Sequence, residues 1–225
     1  KDCYLATKIL FLASGHGGNL KFLYLLSKVY PALDISISVI GDRECGALAF
    51  AKARGIDNEL LSIDLCDQSN LMESINQLNP DLIFTTIHKI LTDSIIDTFS
   101  SRLVNLHYSL LPNHSGLIGL KCLESAIANR DFLLGVTTHR VNSILDGGTP
   151  FVQSCFQNTF DLRTAVKISF RVGCKQVWSI VSGLVGSETL TATVSEEMIF
   201  GSKVHHIPEI VVLPSEVDDA FWSEL

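Results

Sequence analysis

Short apolar runs alternate with amphipathic stretches along the first half of the chain. Residues 8–14 (Lys-Ile-Leu-Phe-Leu-Ala-Ser) form a nearly unbroken apolar run, the pattern of a short strand buried on both faces. Gly15-His-Gly-Gly18 interrupts it, and Asn19 is placed to cap a helix reaching about Tyr30, where Pro31 ends it. The β-branched run over residues 35–40 predicts a second strand. Residues 45–54 have helical composition and stop at Gly55. Residues 59–63, 82–87 and 103–107 predict three further strands, with helices over 70–78 and 92–99. Strands alternating with helices predict parallel β-α-β units. The expected class is therefore α/β, a doubly wound (Rossmann-like), mostly parallel sheet with helices on both faces.

The second half reads differently. Residues 120–128 predict a helix, and residues 135–141 and 150–156 predict strands flanking an Asp-Gly-Gly loop. Asp161 is placed to cap a long helix over 162–181. The final stretch is mixed, with a hairpin expected around 189–199. With no repeat and no low-complexity linker, the expected division is a catalytic domain over 1–160 and a small C-terminal extension. In that extension, a helix and hairpin over 161–225 pack on the same domain.

Composition narrows the function classes. Hydrophobic residues make up 47% and charged residues 18%, enough for a sizeable core. A net charge of -7 without any Lys/Arg run argues against a broad nucleic-acid footprint, yet leaves room for a small anionic ligand in a local pocket. Six cysteines with no C-x-x-C pair read as reduced core thiols of a cytoplasmic protein, without a metal site or disulfide framework. No apolar run approaches the roughly 20 residues of a membrane helix. Residues 9–13 are too short for a signal peptide and run into a glycine-rich loop. The absence of an initial methionine reads as a trimmed start.

Three segments carry candidate chemistry. Ser14-Gly-His-Gly-Gly-Asn19 joins a strand to a helix, so the backbone amides of Gly17, Gly18 and Asn19 could hold a phosphate, or form only a tight turn. In Asn105-Leu-His-Tyr-Ser-Leu-Leu-Pro112, Asn105 and His107 are two apart and leave one face of a strand at its C-terminal end, where open α/β sheets place ligands. Neutral His107 could accept a proton, and Asn105 could donate to a developing oxyanion; a capped strand end is the plain alternative. Leu145-Asp146-Gly-Gly-Thr-Pro150 is a turn by default, although its carboxylate could orient a histidine. His139, on an alternating strand, either faces the site or is a half-buried polar residue. His205-His206 read as surface residues, and Cys122 and Cys155 as packing residues.

Taken together and in this order, these segments resemble the formyltransferase family over about residues 8–156. The most specific part is Asn105-x-His107-x-Ser109-Leu-Leu-Pro112, then Gly116, then Leu145-Asp146-Gly-Gly148. The resemblance implies Asn105, His107 and Asp146 as the catalytic set and 10-formyltetrahydrofolate as co-substrate, with no metal. It also implies a pterin pocket from Lys89, Ile90, Leu91 and the loop carrying Leu145. It implies an amine acceptor bearing a phosphate, first of all glycinamide ribonucleotide, with His139 as a substrate contact. Gly18 stands where that branch of the family has a serine, and Tyr108 replaces the proline usual after the histidine. No further domain such as the transfer-RNA branch carries is expected. Nucleotide-linked amino sugars are an alternative acceptor, formyltetrahydrofolate hydrolysis an alternative reaction, and a non-catalytic folate- or nucleotide-binding protein an alternative class. No nucleic-acid or membrane partner is expected, and the oligomeric state stays open.

Overall fold

The computed structural model describes residues 6–185 and 193–225. Cys3, and the expected hairpin residues 189–192, lie outside them. The chain divides into two compact units, Lys1–Val104 with Pro214–Leu225, and Asn105–Leu213. The architecture is α/β, the class the alternating pattern predicts.

In the first unit the strands run in the order β3 (Asp57–Leu60), β2 (Ile35–Gly41), β1 (Thr7–Ala13), β4 (Leu82–Thr86), all paired in parallel. The apolar run at the start of the chain becomes β1, between two neighbours, with Ile9 to Ala13 buried. Phe11 stacks on Phe84 of β4 at 5.1 Å between ring centroids. Helix α1 (Gly18–Val29) buries Leu20, Phe22, Leu23 and Leu26. Its N-cap is Gly17, at φ 71°, rather than Asn19. The left-handed turn at Gly17 starts the helix early and carries Asn19 into its first turn. Helix α2 (Gly46–Arg54) ends on Gly55, left-handed at φ 65°, as its composition predicts. Strand β3 lies two residues earlier than expected, because its register on β2 pairs Asp57 with Ser38 and Leu60 with Gly41. Helices α3 (Ser69–Leu78) and α4 (Asp93–Phe99) follow the prediction closely. The five-residue α7 (Asp219–Ser223), which the sequence did not announce, is capped by Asp218, whose side chain accepts from the Phe221 amide at 2.9 Å. Phe221 and Trp222 close on Phe22 at 5.8 and 5.6 Å.

The boundary between the units runs through β5 (Leu103–His107). From β5 the second unit continues through β6 (Leu133–Arg140), β7 (Pro150–Gln157), β9 (Ser202–Ile207) and β8 (Ser195–Ile199). The pairings β6–β7, β7–β9 and β8–β9 are antiparallel. The C-terminal hairpin thus turns at Phe200-Gly201, later than the sequence placed it. Helices α5 (Leu120–Ala128) and α6 (Leu162–Val185) supply Leu123, Ala126, Ile168 and Val172 to a core shared with Val136, Phe156 and Val204. The Asp161 carboxylate accepts from the Thr164 amide at 3.0 Å, the expected N-terminal cap of α6. His206 is not a surface residue: the alternation of β9 turns it inward, 1% exposed, while the His205 side chain stays 42% exposed. There His206 Nδ1 meets Ser154 Oγ at 2.7 Å and Nε2 meets Glu197 at 3.0 Å. Buried Gln176 of α6 donates to Val136 O and Ser154 Oγ and accepts from Thr138 Oγ1, tying the helix to β6 and β7. Among the described residues, no helix is long and apolar enough to cross a membrane.

Candidate active site

Asn105, His107, His139 and Asp146 all belong to the second unit, and their side chains converge. Asn105 and His107 leave β5 together because they are two apart. His139 stands near the end of β6, where a register shift at Thr138/His139 interrupts the ladder with β7. Asp146 sits in the loop between these strands at φ 54°, a left-handed conformation that Asp tolerates better than most residues. Asn105 Nδ2 donates to Asp146 Oδ1 at 3.4 Å and lies 3.1 Å from His139 Nε2. His107 Nδ1 is 3.6 Å from Asp146 Oδ2. That carboxylate oxygen also accepts the Gly116 amide at 2.7 Å. The two glycines after Asp146 are demanded by packing. A Cβ on Gly147 would meet Ile144 Cγ2 at 2.5 Å, and one on Gly148 would overlap the Arg140 carbonyl oxygen.

Hydrogen bonding to carbonyls settles which nitrogens carry protons. His139 Nδ1 lies 2.7 Å from the Arg140 carbonyl, which can only accept, so Nδ1 is protonated. In neutral His139, Nε2 is then the acceptor for Asn105. His107 Nε2 lies 3.2 Å from the His114 carbonyl, so Nε2 carries a proton and Nδ1 is the basic nitrogen, aimed at Asp146. Cys122, fully buried, places Sγ 3.6 Å from the same Nε2 and donates to Leu117 O. Burial, reinforced by the Asp146 charge, pushes the Cys122 thiol up to about 11, so it is not a nucleophile at neutral pH.

Burial lowers the His139 pKa, opposed by the Arg140 carbonyl and the Asp146 charge and assisted by His107. The unfolded chain takes up this proton near the ordinary value of 6.5 and the folded chain only at lower pH. Stability is therefore lost as pH falls below about 6.5 and levels off below the lowered folded value. We expect thermal melts of His139→Gln to lose less stability than the parent between pH 7.5 and 5.5, on the order of a few °C. Parallel curves for the two proteins would contradict this.

The other expected site residues lie in the first unit, Leu145 excepted. Gly17 and Gly18 are half-buried at the start of α1, whose first turn has no acidic residue and no side-chain cap, while Asn19 is buried. Ile90 is 66% exposed and Leu91 buried. Their segment is held by Gln68, a residue the sequence did not single out. Buried Gln68 donates to the Ile90 carbonyl at 2.9 Å and accepts the Thr92 amide at 2.9 Å. Leu145 is 57% exposed beside Asp146. Among the described residues, no group of three or more His, Cys, Asp or Glu side chains is arranged to hold a metal ion.

The sequence profile of the family described as Formyl transferase matches residues 7–173, well over half of the chain. The chain belongs to the formyl transferase family. This family member is 27% identical over 154 residues to phosphoribosylglycinamide formyltransferase of Escherichia coli (strain K12), covering 65% of this chain and 71% of the relative. It is 34% identical over 90 residues to methionyl-tRNA formyltransferase of Borrelia garinii subsp. bavariensis, covering 40% of this chain and 28% of the relative. It spans less than half of the methionyl-tRNA formyltransferases it matches, 48% in the case of Borrelia hermsii. Among solved structures, phosphoribosylglycinamide formyltransferase from Bacillus halodurans superposes with a TM-score of 0.71 at 21% identity, over 82% of this chain and 98% of that one. The formyltetrahydrofolate deformylase from Pseudomonas putida superposes with a TM-score of 0.66 at 18% identity, over 78% and 64%. These two likenesses concern the fold alone.

Proposed function

We propose that this chain transfers a formyl group from 10-formyltetrahydrofolate to a primary amine, with glycinamide ribonucleotide as the first-choice acceptor. The observation that carries this reading is the convergence of Asn105, His107 and Asp146, in a member of this family, with His107 Nδ1 and Asp146 Oδ2 only 3.6 Å apart. The chemistry supplied by the donor is an activated formyl carbon. The amine nitrogen bonds to it, its bond to the folate nitrogen breaks, and the proton lost by the amine ends on that leaving nitrogen. Negative charge that develops on the formyl oxygen needs donors, and charge on the amine needs an acceptor. Asn105 Nδ2 turns one N–H from Asp146 or His139 toward that oxygen. His107 holds a proton at Nδ1 for the same oxygen, and Asp146 stabilises this cation and takes up the amine proton.

The residues beside Asp146 fit such a donor. Ile144 and Leu145, 67% and 57% exposed, offer apolar edges beside Asp146 that a pterin ring would cover. The Lys89–Leu91 segment, whose backbone is fixed by Gln68, is the other segment that this reading assigns to the donor. The amides of Gly17, Gly18 and Asn19 would bind the acceptor's phosphate by the helix-terminus field and main-chain donors, without a hydroxyl at residue 18. We expect inorganic phosphate to shift the amide resonances of residues 17–19 selectively in a ¹H–¹⁵N titration. A response no larger there than elsewhere would remove the phosphate role.

The likeness to methionyl-tRNA formyltransferases favours a second acceptor, the amine of methionyl-tRNA. The deciding experiment measures donor consumption with glycinamide ribonucleotide, methionyl-tRNA and a nucleotide-linked amino sugar in parallel. The leading reading expects turnover with the first well above the others. Consumption that needs no amine would point to hydrolysis, and none with any amine would overturn transferase activity.

A further inference from the structure

The proposed chemistry uses neither His114 nor Asp131, yet the two form one of the shortest polar contacts in the second unit. His114 Nε2 lies 2.5 Å from Asp131 Oδ2. Both residues are anchored independently. Asp131 follows α5, its amide donates to Ala126 O at 2.9 Å, and its carbonyl accepts from buried Asn158 at 2.8 Å. His114 sits in the loop after β5 at φ 59°, a left-handed conformation that a residue with a Cβ adopts only when its surroundings hold it there. The carbonyl of this strained residue is the one that accepts His107 Nε2–H at 3.2 Å. One residue therefore joins two functions: its side chain is tied to a fixed carboxylate, and its main chain receives the proton of the candidate catalytic histidine.

We infer that Asp131 and His114 are a positioning pair that sets the tautomer and aim of His107. The physical need is plain. His107 is buried, so its Nε2–H requires an acceptor, and besides the His114 carbonyl the nearest is the Cys122 sulfur at 3.6 Å, a weak one. If the imidazole–carboxylate tie is cut, the long 3.3 Å bond from the Leu117 amide is left to hold the carbonyl, and the loop can relax out of its left-handed turn and carry it away from His107. Neutral His107 then gains by moving its proton to Nδ1 and donating to Asp146. In that neutral tautomer the one ring proton is committed to Asp146, so neither that proton nor the carboxylate is free for the formyl oxygen and the amine. The tie thus keeps Nδ1 free of a proton until one is delivered to it, as orienting groups do for histidines elsewhere. The pair touches no reacting atom and acts only through His107.

This inference rests on the proposed formyl transfer for its kinetic arm alone. Ring ¹⁵N shifts of His107 in histidine-labelled protein, measured where the ring is neutral, read the tautomer directly. We expect the parent to carry the proton on Nε2. Asp131→Ala should move a large share of it to Nδ1 and lower kcat about tenfold, with KM for amine and donor within about twofold. Asp131→Asn keeps an acceptor for His114 and should restore both the tautomer and kcat to within about threefold. If Asp131→Ala does not fold, His114→Asn serves instead. It tolerates the left-handed backbone, but its side chain is too short to hold Asp131. A parent ring with its proton on Nδ1, or a tautomer unchanged in the folded variant, overturns the proposal whatever turnover does. A purely structural role would lower the melting temperature and leave the tautomer alone. A parent protein that transfers no formyl group would sink the proposed function, while the ring shifts would still decide this one.

Discussion

We expect Asp146→Asn to lower kcat by at least about 100-fold in a protein that remains folded, and His107→Ala to do the same. Asn has the size of Asp and tolerates the left-handed backbone at residue 146, so the loop should keep its shape. Its amide oxygen can still accept the Gly116 amide, which now bonds Asp146 Oδ2 at 2.7 Å. What is lost is the carboxylate charge 3.6 Å from His107 Nδ1 and, in the proposed mechanism, the base that relieves the amine of its proton. His107→Ala removes the partner of that charge and, in the proposed mechanism, the donor for the formyl oxygen, a loss on the scale of one oxyanion-hole donor, roughly 100- to 1000-fold. Because the two side chains act as one unit, the double variant should be little slower than either single one. Donor binding should change far less, since in the proposed reading the pterin contacts do not involve either side chain. Single-turnover rates, donor titrations and thermal melts on the three variants measure each quantity separately. Near-normal turnover in folded Asp146→Asn would return Asp146-Gly147-Gly148 to an ordinary turn.

What the sequence could disclose depended on how local each feature is. β1 was legible because a strand buried on both faces leaves an unbroken apolar run, and α2 because Gly55 ends it. β3 was misplaced because Leu60, Leu61 and Ile63 look like strand residues, whereas the position is set by register on β2, a non-local constraint. α7 is too short to show a period, and it is held by Phe22, far away in the chain. In the site, the two-residue spacing of Asn105 and His107 announced a shared face. Asp146 could be separated from an ordinary turn only by its company with the other motifs. His114, Asp131 and Cys122 were illegible as a group. Their roles come from a carbonyl and a sulfur brought to the His107 imidazole across 7 and 15 residues, and from a loop conformation tied to a carboxylate 17 residues on, and none of these follows from side-chain type.

Gly148→Ala carries the second large effect, and it tests whether the loop is held in place by its backbone rather than by Asp146 itself. Gly148 lies against Arg140 so closely that a Cβ would overlap the Arg140 carbonyl oxygen. Two features prevent that carbonyl from stepping aside. It belongs to β6, whose Arg140 amide donates to Thr149 O at 3.0 Å, and next to it His139 Nδ1–H donates into the same oxygen at 2.7 Å. The loop must therefore move instead. Gly147, its neighbour, is packed against Ile144, and its amide donates to Ile144 O at 2.9 Å, so the displacement is passed on to Asp146. A shift of about 1 Å in a positioned group can cost about 100-fold in rate, and we expect a loss of that order in kcat. The overpacking itself should destabilise the protein by about 1–3 kcal/mol, which leaves it folded at 25 °C if its stability is of ordinary size. The two effects separate in the measurements: a denaturant melt gives the stability loss, and single-turnover rates on the folded variant give the catalytic one. Gly147→Ala should resemble it more weakly, because the first obstacle there is the Ile144 side chain, which can rotate, rather than a strand carbonyl. Turnover within about threefold of the parent in folded Gly148→Ala would mean that the loop absorbs the displacement without moving Asp146, and that the carboxylate is placed by its own bond to the Gly116 amide.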